Sequence, residues 1–427
     1  MAISTDVALP QITPARCQEL LDDLVELYAL ERLTCAVHGE RDTFVVSAPR
    51  GGTRTDLRPL PVGCLAKLYT ARLAAQVFAQ RRISLDVPLT ELCPQFRVAS
   101  QEATRTITLR HLLTHSSGLD SEGLTGFVVR EREFWQLVRD VRQLFWPGEE
   151  RSYCSLGFLL AGRVAEIISG KSWWDLLAES VAGATQWLPN ESPGCRPLIN
   201  AAAIAPQATS GAISGTAAFG YGLALTAREL ARFGAMHLSG PARAADLFAW
   251  WPDGEGAFCA GGTADVGETS EVDTRLQLVP AARVSIAAVA EGPISGAVHD
   301  FFRQLLGSKW DGFVQPRRRV DPEAMLACVL GRRFRCAVLD ISFRRRGLDT
   351  IADMWVGRDG VDTWVGRARV FQSVVVHVGQ AGYLAGAFCT QNVTFDFVLE
   401  PLDYQGDIQY LIFNRKMLIR QAGSAEP

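Results

Sequence analysis

The first fifty residues show two different spacings of apolar side chains. In residues 17–31 apolar positions recur every three or four residues, which predicts an amphipathic helix. Two short apolar runs follow at 33–38 and 43–48, separated by a polar turn at 39–42. Short apolar runs on either side of a polar turn are typical of a β-hairpin. The first structural elements are therefore expected to be a helix and a pair of strands.

The middle of the chain is dominated by helical periods. Residues 64–80 are rich in Ala and Leu and contain neither Gly nor Pro, which predicts a largely buried helix. Further helices are predicted at 109–114, 134–144, 155–168, 173–181, 227–236 and 294–306, and strands at 275–280 and 283–289. This order predicts an α/β (α+β) fold, in which an antiparallel sheet built from both ends of the region is flanked by helices and joined to a helical region.

The composition changes after residue 306. Residues 307–322 are polar and interrupted by Gly and Pro, as in a linker between domains. Beyond them, short β-type runs follow one another at 334–341, 354–356, 370–378, 393–399 and 410–413. We therefore expect a first domain at 1–306, a linker at 307–322 and a small C-terminal all-β, barrel-like domain at 323–427.

The charge balance and the cysteine pattern exclude several classes of function. The chain has 43 Lys and Arg against 46 Asp and Glu, which gives no electrostatic basis for binding nucleic acid or an anionic membrane. The ten cysteines form no Cys-x-x-Cys pair and do not cluster with the six histidines, so neither a metal site nor a cofactor is predicted. There is no secretory signal and no apolar stretch of membrane-spanning length, so a soluble cytoplasmic protein is expected.

One pair of residues in the predicted helix 64–80 suggests chemistry. Cys64 and Lys67 stand three positions apart, so their side chains share one helical face. A cationic amine near a thiol stabilises the thiolate, and a neutral amine accepts the thiol proton. The pair alone is a weak signal, because this spacing occurs by chance and most buried cysteines are structural.

Four segments, in order, give the Cys64–Lys67 pair a context. They are VGCLAKLYTA at 62–71, ITLRHLLTHSSGL at 107–119, YCSLGFLLAG at 153–162 and GLALTARELARFG at 222–234. Together they resemble the serine β-lactamase and penicillin-binding-protein superfamily, within it the class C β-lactamase-like branch of esterases, D-aminopeptidases and transacylases. In that family the first motif is Ser-x-x-Lys, and an LLTHxSGL segment is a hallmark turn. The resemblance covers residues 15–305, and the occurrence of all four segments in order makes it specific.

The sequence departs from the family pattern at three places. Cys64 stands where the family has its nucleophilic serine, and Ser155 stands where asparagine usually follows Tyr153. The third motif, normally Lys-Thr-Gly or His-x-Gly on a strand, falls at 258–263. Its cationic position is then Cys259 or Ala260, depending on the frame, and neither carries a positive charge.

The resemblance implies a role for each remaining site residue. Cys64 is expected at the start of a central helix as the nucleophile, with Lys67 as proton acceptor or electrostatic partner. Tyr153 is expected to relay protons to the leaving group, and Ser155 to replace the asparagine as a hydrogen-bond donor. The oxyanion hole is expected from the backbone N–H of Cys64 and that of Gly262 or a neighbour, with Gly261 and Gly262 leaving room for substrate at the strand edge.

A cysteine nucleophile changes the predicted reaction. The acyl-enzyme becomes a thioester, which amines attack more readily than they attack an ester. This favours acyl transfer from a thioester or ester donor to an amine, alcohol or water, in the biosynthesis of a specialised metabolite. The expected partner is a small-molecule acyl substrate, carried by coenzyme A or a carrier protein, with Trp135 and Trp146 as candidate cleft residues.

Two alternatives remain open at this point. Three altered motifs also fit a catalytically silent binding protein on the same fold. A non-covalent acid/base enzyme, for example one that catalyses cyclisation with Lys67 and Tyr153, fits as well. His115, in the hallmark turn, is expected to hold that loop through hydrogen bonds. The C-terminal residues resemble the lipocalin-like barrel appended to some family members.

Overall fold

The chain folds into two compact units. The computed structural model describes residues 12–39, 43–51, 58–120, 131–184, 196–197, 223–238, 251–252, 258–265, 271–292, 296–307, 329–336, 339–356, 370–378, 384–389, 394–404, 407–413 and 416–420. The predicted linker at 307–322 falls almost entirely outside these residues, so the predicted domain boundaries stay a prediction.

The helices and strands are numbered in chain order. The helices are α1 Pro14–Leu27, α2 Ala66–Gln80, α3 Leu89–Leu92, α4 Gln101–Thr106, α5 Leu109–Leu113, α6 Glu131–Arg139, α7 Ser155–Ser169, α8 Trp173–Ala184, α9 Ala227–Ala235 and α10 Ala297–Leu306. The strands are β1 Arg32–Gly39, β2 Thr43–Pro49, β3 Leu60–Pro61, β4 Arg196–Pro197, β5 Leu223–Leu225, β6 Trp251–Pro252, β7 Phe258–Asp265, β8 Glu271–Val279, β9 Val284–Gly292, β10 Arg333–Arg335, β11 Leu339–Arg346, β12 Asp349–Val356, β13 Val370–Val378, β14 Leu384–Cys389, β15 Thr394–Tyr404, β16 Asp407–Phe413 and β17 Lys416–Arg420.

The first unit is built on a six-stranded antiparallel sheet in the order β2-β1-β9-β8-β7-β6. Strand β1 pairs with β2 along its hairpin and with β9 on its other side, where Arg32 lies opposite Glu291. Residues from before α2 and from after α9 therefore share one sheet, as the order of elements predicts. A second, three-stranded sheet joins β3, β5 and β4.

The core of the first unit lies between the six-stranded sheet and the helices α1 and α10. Side chains alternate between the faces of a strand, so every second residue of β1 and β9 belongs to this core: Leu33, Cys35, Val37, Ile286, Ala288 and Ala290. From α10 it receives Phe301 and Phe302, both fully buried. Burying each phenyl group contributes about 1.5–3 kcal/mol to folding. The Tyr28 hydroxyl also donates to Asp300 Oδ2 at 2.5 Å, which joins the end of α1 to α10.

The helical part of the second unit is organised around α7. This helix buries residues on all sides, which is typical of a helix at the centre of a core. Its Glu166 carboxylate pairs with Arg163 at 3.0 Å and accepts from the Trp173 backbone N–H at 2.8 Å, joining α7 to α8. The Trp173 indole N–H donates to Thr70 Oγ1 at 3.1 Å in the interior. Helices α2, α7 and α8 are thereby linked.

The strands of the second unit form a closed eight-stranded barrel, β10 to β17 in sequence order. Strand β17 pairs with β10 and closes the circle, so no edge is left unpaired within the barrel. Apolar side chains fill the buried side of the described strands β10 to β13: Phe334, Ile341, Phe343, Met354, Val356, Val374 and Val376. The other side carries polar groups such as the Arg344–Asp353 ion pair. The predicted α/β fold with a C-terminal all-β barrel is confirmed.

Two predicted helix boundaries are wrong for identifiable reasons. Helix α1 starts three residues before the predicted 17–31 because Thr13 caps its N-terminus through the Arg16 N–H, at 3.3 Å, and Pro14 suits the first turn. The helix predicted at 134–144 ends at Arg139. Beyond it, the Val141 carbonyl accepts from the Ala99 N–H at 3.1 Å, and the chain has left the helical path.

The predicted single strand at 334–341 is also wrong. It is a tight antiparallel turn from β10 to β11, in which Phe334 pairs with Ile341 and the Cys336 N–H donates to the Leu339 carbonyl at 2.9 Å. The sequence resembles a single apolar strand because the apolar side chains of both β10 and β11 face the barrel interior. Strands β14 and β17 have no counterpart in the prediction.

Among the helices of the described ranges, none is both long and apolar enough to cross a membrane.

Candidate active site

Cys64 lies in a single 3-10 turn, Gly63–Leu65, that leads directly into α2. Gly63 has a φ of +51°, a conformation that favours glycine, and it lets the chain turn from β3 into the helix. The Cys64 side chain is partly exposed and forms no disulfide, whereas Leu65 beside it is fully buried. The helix predicted from residue 64 thus starts with a tighter turn, and the thiol stands at its N-terminal end.

Two hydrogen bonds fix the segment that precedes Cys64. The Val62 N–H donates to the Leu223 carbonyl at 3.0 Å, and Thr274 Oγ1 donates to the Val62 carbonyl at 3.2 Å. Thr274 lies on β8, directly opposite Gly262 of β7. The 3-10 turn packs against both strands. The first unit therefore brings the Cys64 turn together with the glycine strand that carries the predicted Gly261 and Gly262.

Lys67 is the second residue of α2 and is almost completely buried, with 2% of the residue's surface exposed. Its Nζ lies over the face of the Tyr153 ring, 5.2 Å from the ring centroid. Lysine is rarely buried to this extent, because removing an ammonium group from water is costly unless its partners compensate. The second unit thus brings two of the predicted site residues together, Lys67 and Tyr153.

Tyr153 and Ser155 flank the N-terminus of α7. Cys154 is the N-cap residue of this helix, and Ser155, 5% exposed, is its first residue. The Cys154 N–H donates to His115 Nδ1 at 3.0 Å, and the Ser152 N–H donates to the His115 carbonyl at 2.9 Å. The prediction that His115 holds its loop through hydrogen bonds is confirmed, and the chain segment that it holds includes Tyr153.

The hallmark turn depends on a glycine. Gly118 has a φ of +71°, and a Cβ at this position would lie 2.1 Å from the Phe145 carbonyl oxygen. Gln143 Nε2 donates to the Ser117 and Phe145 carbonyls, both at 2.6 Å, and clamps the same corner. Close backbone packing therefore explains the glycine of the SSGL segment.

The two tryptophans predicted for the substrate cleft have different surroundings. Trp135, in α6, is 7% exposed and packs edge-on against Phe134, with ring centroids 5.1 Å apart. Trp146 exposes 52% of its surface. Trp135 thus has the environment of a core residue, whereas Trp146 is exposed enough to contact a ligand. A cleft role stays a prediction for both.

His111, in the turn before His115, gives a prediction for pH. Its Nδ1 accepts the Thr108 N–H at 3.3 Å in a capping box, and burial lowers the pKa of this imidazole below its ordinary value. The neutral form is therefore favoured by folding, and this contribution is complete above about pH 6.5. It is lost as the pH falls from that value towards the folded-state pKa. Urea unfolding at pH 7.5 and 5.5 should show a smaller loss of stability on acidification in His111→Asn than in the wild type; equal losses would contradict the assignment.

An antiparallel sheet flanked by helices, with a partly exposed cysteine at a helix start and a buried lysine three residues later, is the arrangement expected of the β-lactamase fold. A family model described as beta-lactamase matches residues 48–273, more than half of the chain, so the chain belongs to the beta-lactamase family. Penicillin-binding protein 4 of Amycolatopsis lactamdurans is 36% identical over 123 residues, which are 27% of this chain and 32% of that protein. The matched stretch thus spans about a third of that relative.

Solved structures share the fold. A structure of SurE with D-Leu is similar over 96% of this chain and 99% of that one, with a TM-score of 0.64 and 17% identity. A beta-lactamase from Sulfitobacter sp. EE-36 covers 69% of this chain and 99% of its own, with a TM-score of 0.51 and 19% identity. The predicted membership of the serine β-lactamase and penicillin-binding-protein superfamily is confirmed. Proteins of this fold family are typically hydrolases or acyltransferases.

Two residues near the site have contacts that no sequence pattern predicts. Thr274 lies 212 positions from Val62, whose carbonyl it binds, and nothing in the local sequence of β8 marks it. His115 lies 39 positions from Cys154. The position of His115 in the hallmark turn marks it as a candidate structural residue. Its contact with the segment around Tyr153 is not predicted by the sequence and is seen only in the structure.

Proposed function

We propose that this chain catalyses acyl transfer through a thioester formed on Cys64. The observation that carries the proposal is the burial of Lys67 against the Tyr153 ring, in the helical run that starts at the Cys64 turn. Stability of the fold does not require a buried amine or a phenol next to it, so a catalytic role explains this pair better than packing does. A partly exposed thiol three residues before that amine supplies a nucleophile.

In the first half-reaction the donor is a thioester or an activated ester. The Cys64 thiol gives its proton to the neutral Lys67 amine, and Sγ forms a bond to the acyl carbon. The carbonyl electrons move to oxygen, where the N–H groups of Cys64 and Gly262 are proposed to stabilise the oxyanion. The bond from the acyl carbon to the leaving sulfur or oxygen then breaks. The leaving group takes a proton from Lys67 through the Tyr153 hydroxyl.

In the second half-reaction an acceptor attacks the Cys64 thioester. An amine forms a bond from nitrogen to the acyl carbon, and the bond from that carbon to Sγ breaks. The proton lost by the amine passes through Tyr153 and Lys67 and returns to the Cys64 sulfur. Because amines attack thioesters more readily than they attack esters, a thioester intermediate favours transfer to an amine over simple hydrolysis. This chemistry suits a biosynthetic role with coenzyme A- or carrier-bound acyl donors.

Intact-mass spectrometry tests the proposal directly. The protein is incubated with acyl-coenzyme A, N-acetylcysteamine thioesters and p-nitrophenyl esters of several chain lengths, and adducts are mapped by peptide digestion. We expect a mass gain of one acyl group, on the peptide that contains Cys64. The adduct should disappear when an amine acceptor is added, with formation of the amide.

The same experiment separates the alternatives. Cys336, a buried cysteine next to β10, provides a matched control, and Cys336→Ala should load as the wild type does. An adduct on other cysteines and none on Cys64 would contradict the nucleophile. Absence of any adduct, combined with tight donor binding by calorimetry, would favour the silent binding protein. Product formation without an adduct would favour the non-covalent acid/base reaction.

A further inference from the structure

His115 contacts the chain around Tyr153 in three ways. Its imidazole stacks on the Tyr153 ring, with centroids 4.8 Å apart and planes inclined by 24°. Its Nδ1 accepts from the Cys154 N–H at 3.0 Å, and its carbonyl accepts from the Ser152 N–H at 2.9 Å. The backbone on both sides of Tyr153 and the ring itself are therefore held by one residue.

The backbone conformation and contacts of His115 show that its own position is also fixed by its surroundings. Its φ is +58°, in the left-handed region that few non-glycine residues adopt and that Asn, Asp and His tolerate best. Its own N–H donates to the Leu112 carbonyl at 3.3 Å, which anchors it to the end of α5. His115 is 1% exposed, so water does not compete with these contacts. Such a conformation persists when its surroundings determine it strongly.

We infer that His115 is a positioning residue that sets the plane of the Tyr153 phenol against which Lys67 lies. The inference rests on the proposed function, because it assigns the stack a purpose in proton transfer through Tyr153. Nδ1 accepts a hydrogen bond, so the neutral ring carries its proton on Nε2. With the backbone fixed on both sides and the ring supported on its face, the phenol hydroxyl has little freedom to swing. Small displacements of a proton-transfer group cost large factors in rate.

A double-mutant cycle distinguishes positioning from general stabilisation. His115→Asn keeps an acceptor near the Nδ1 position and tolerates positive φ, but removes the stacked ring. We expect it to slow single-turnover loading of Cys64 by about 10- to 100-fold, with donor binding little changed. In a Tyr153→Phe background the same substitution should have no further effect. Independent, additive losses would overturn the inference, and so would unchanged loading in Tyr153→Phe alone.

A second readout does not depend on any acyl donor. The protein is labelled with 3-fluorotyrosine, and Tyr153→Phe identifies one of the seven tyrosine ¹⁹F signals. Loss of the stacked imidazole should shift this signal in His115→Asn, whereas the control His111→Asn should leave it in place. An unmoved signal would overturn the inference, even if Cys64 loads normally. A shifted signal without any Cys64 adduct would instead overturn acyl transfer and support the positioning of Tyr153.

Discussion

Cys64→Ala should reduce acyl transfer by at least about 10³-fold, to the background of the uncatalysed reaction. The substitution removes the atom that carries the acyl group, so no residual covalent path exists. Cys64→Ser should form an ester adduct more slowly, because a hydroxyl ionises far less readily than a thiol. Steady-state transfer from a thioester donor to an amine, followed by chromatography, measures both variants.

The alanine variant is a clean test because Cys64 contributes little to the core. Cys64 is partly exposed, whereas the neighbouring Leu65 is fully buried. Thermal unfolding should therefore change little, which excludes loss of fold as the cause of inactivity. Full activity of Cys64→Ala would disprove the thioester mechanism and support an acid/base reaction by Lys67 and Tyr153.

Lys67→Met should lower the rate of Cys64 loading by about 10²- to 10⁴-fold, the usual range for loss of a general base. Methionine fills a similar volume in a position that is 2% exposed, and it removes the cost of burying an amine. Stability should therefore be kept or increased while the rate falls. Raising the pH should restore part of the rate, since a thiol ionises without help in alkaline solution. Stopped-flow or quenched loading followed by mass spectrometry gives the rate at each pH.

The exposed Lys171 provides a matched control for Lys67. Its amine pairs with Glu179 at 2.6 Å on the surface. Lys171→Met therefore makes the same substitution, with loss of the same amine, at a position that does not contact Tyr153. It should load at the wild-type rate. A Lys67→Met variant that loads as fast as this control would mean that the buried amine serves packing, and the proton would need another acceptor.

Most of the fold follows from patterns that are local in sequence. The helical periods at 155–168 and 227–236 correspond to α7 and α9 within a residue or so, and the hairpin runs correspond to β1 and β2. The errors arise where tertiary contacts override a local period. The helix after Phe134 ends at Arg139 because backbone further on bonds to Ala99. The run at 334–341 divides because its two arms pair across the barrel wall.

The sequence predicts which residues form the candidate site, but it does not predict the contacts between their side chains. The four sequence segments predict Cys64, Lys67 and Tyr153 as site residues, and in the structure Lys67 lies over the Tyr153 ring. No local pattern encodes the distance between these side chains, because it depends on how α2 and the start of α7 pack. The support from His115 depends likewise on a left-handed residue at the end of α5. Whether Cys64 acts as the nucleophile stays a prediction for the mass experiment.

The pairing of β1 with β9 has a consequence for synthesis on the ribosome. Arg32 can pair with Glu291 only after 259 further residues have been added, and β1 lies inside its sheet, between β2 and β9. At 5–20 residues per second this delay is roughly 10–50 s. During that time the hairpin β1–β2 presents an unpaired strand edge on a nascent chain. The sheet of the first unit can therefore be completed only after β9 has been synthesised.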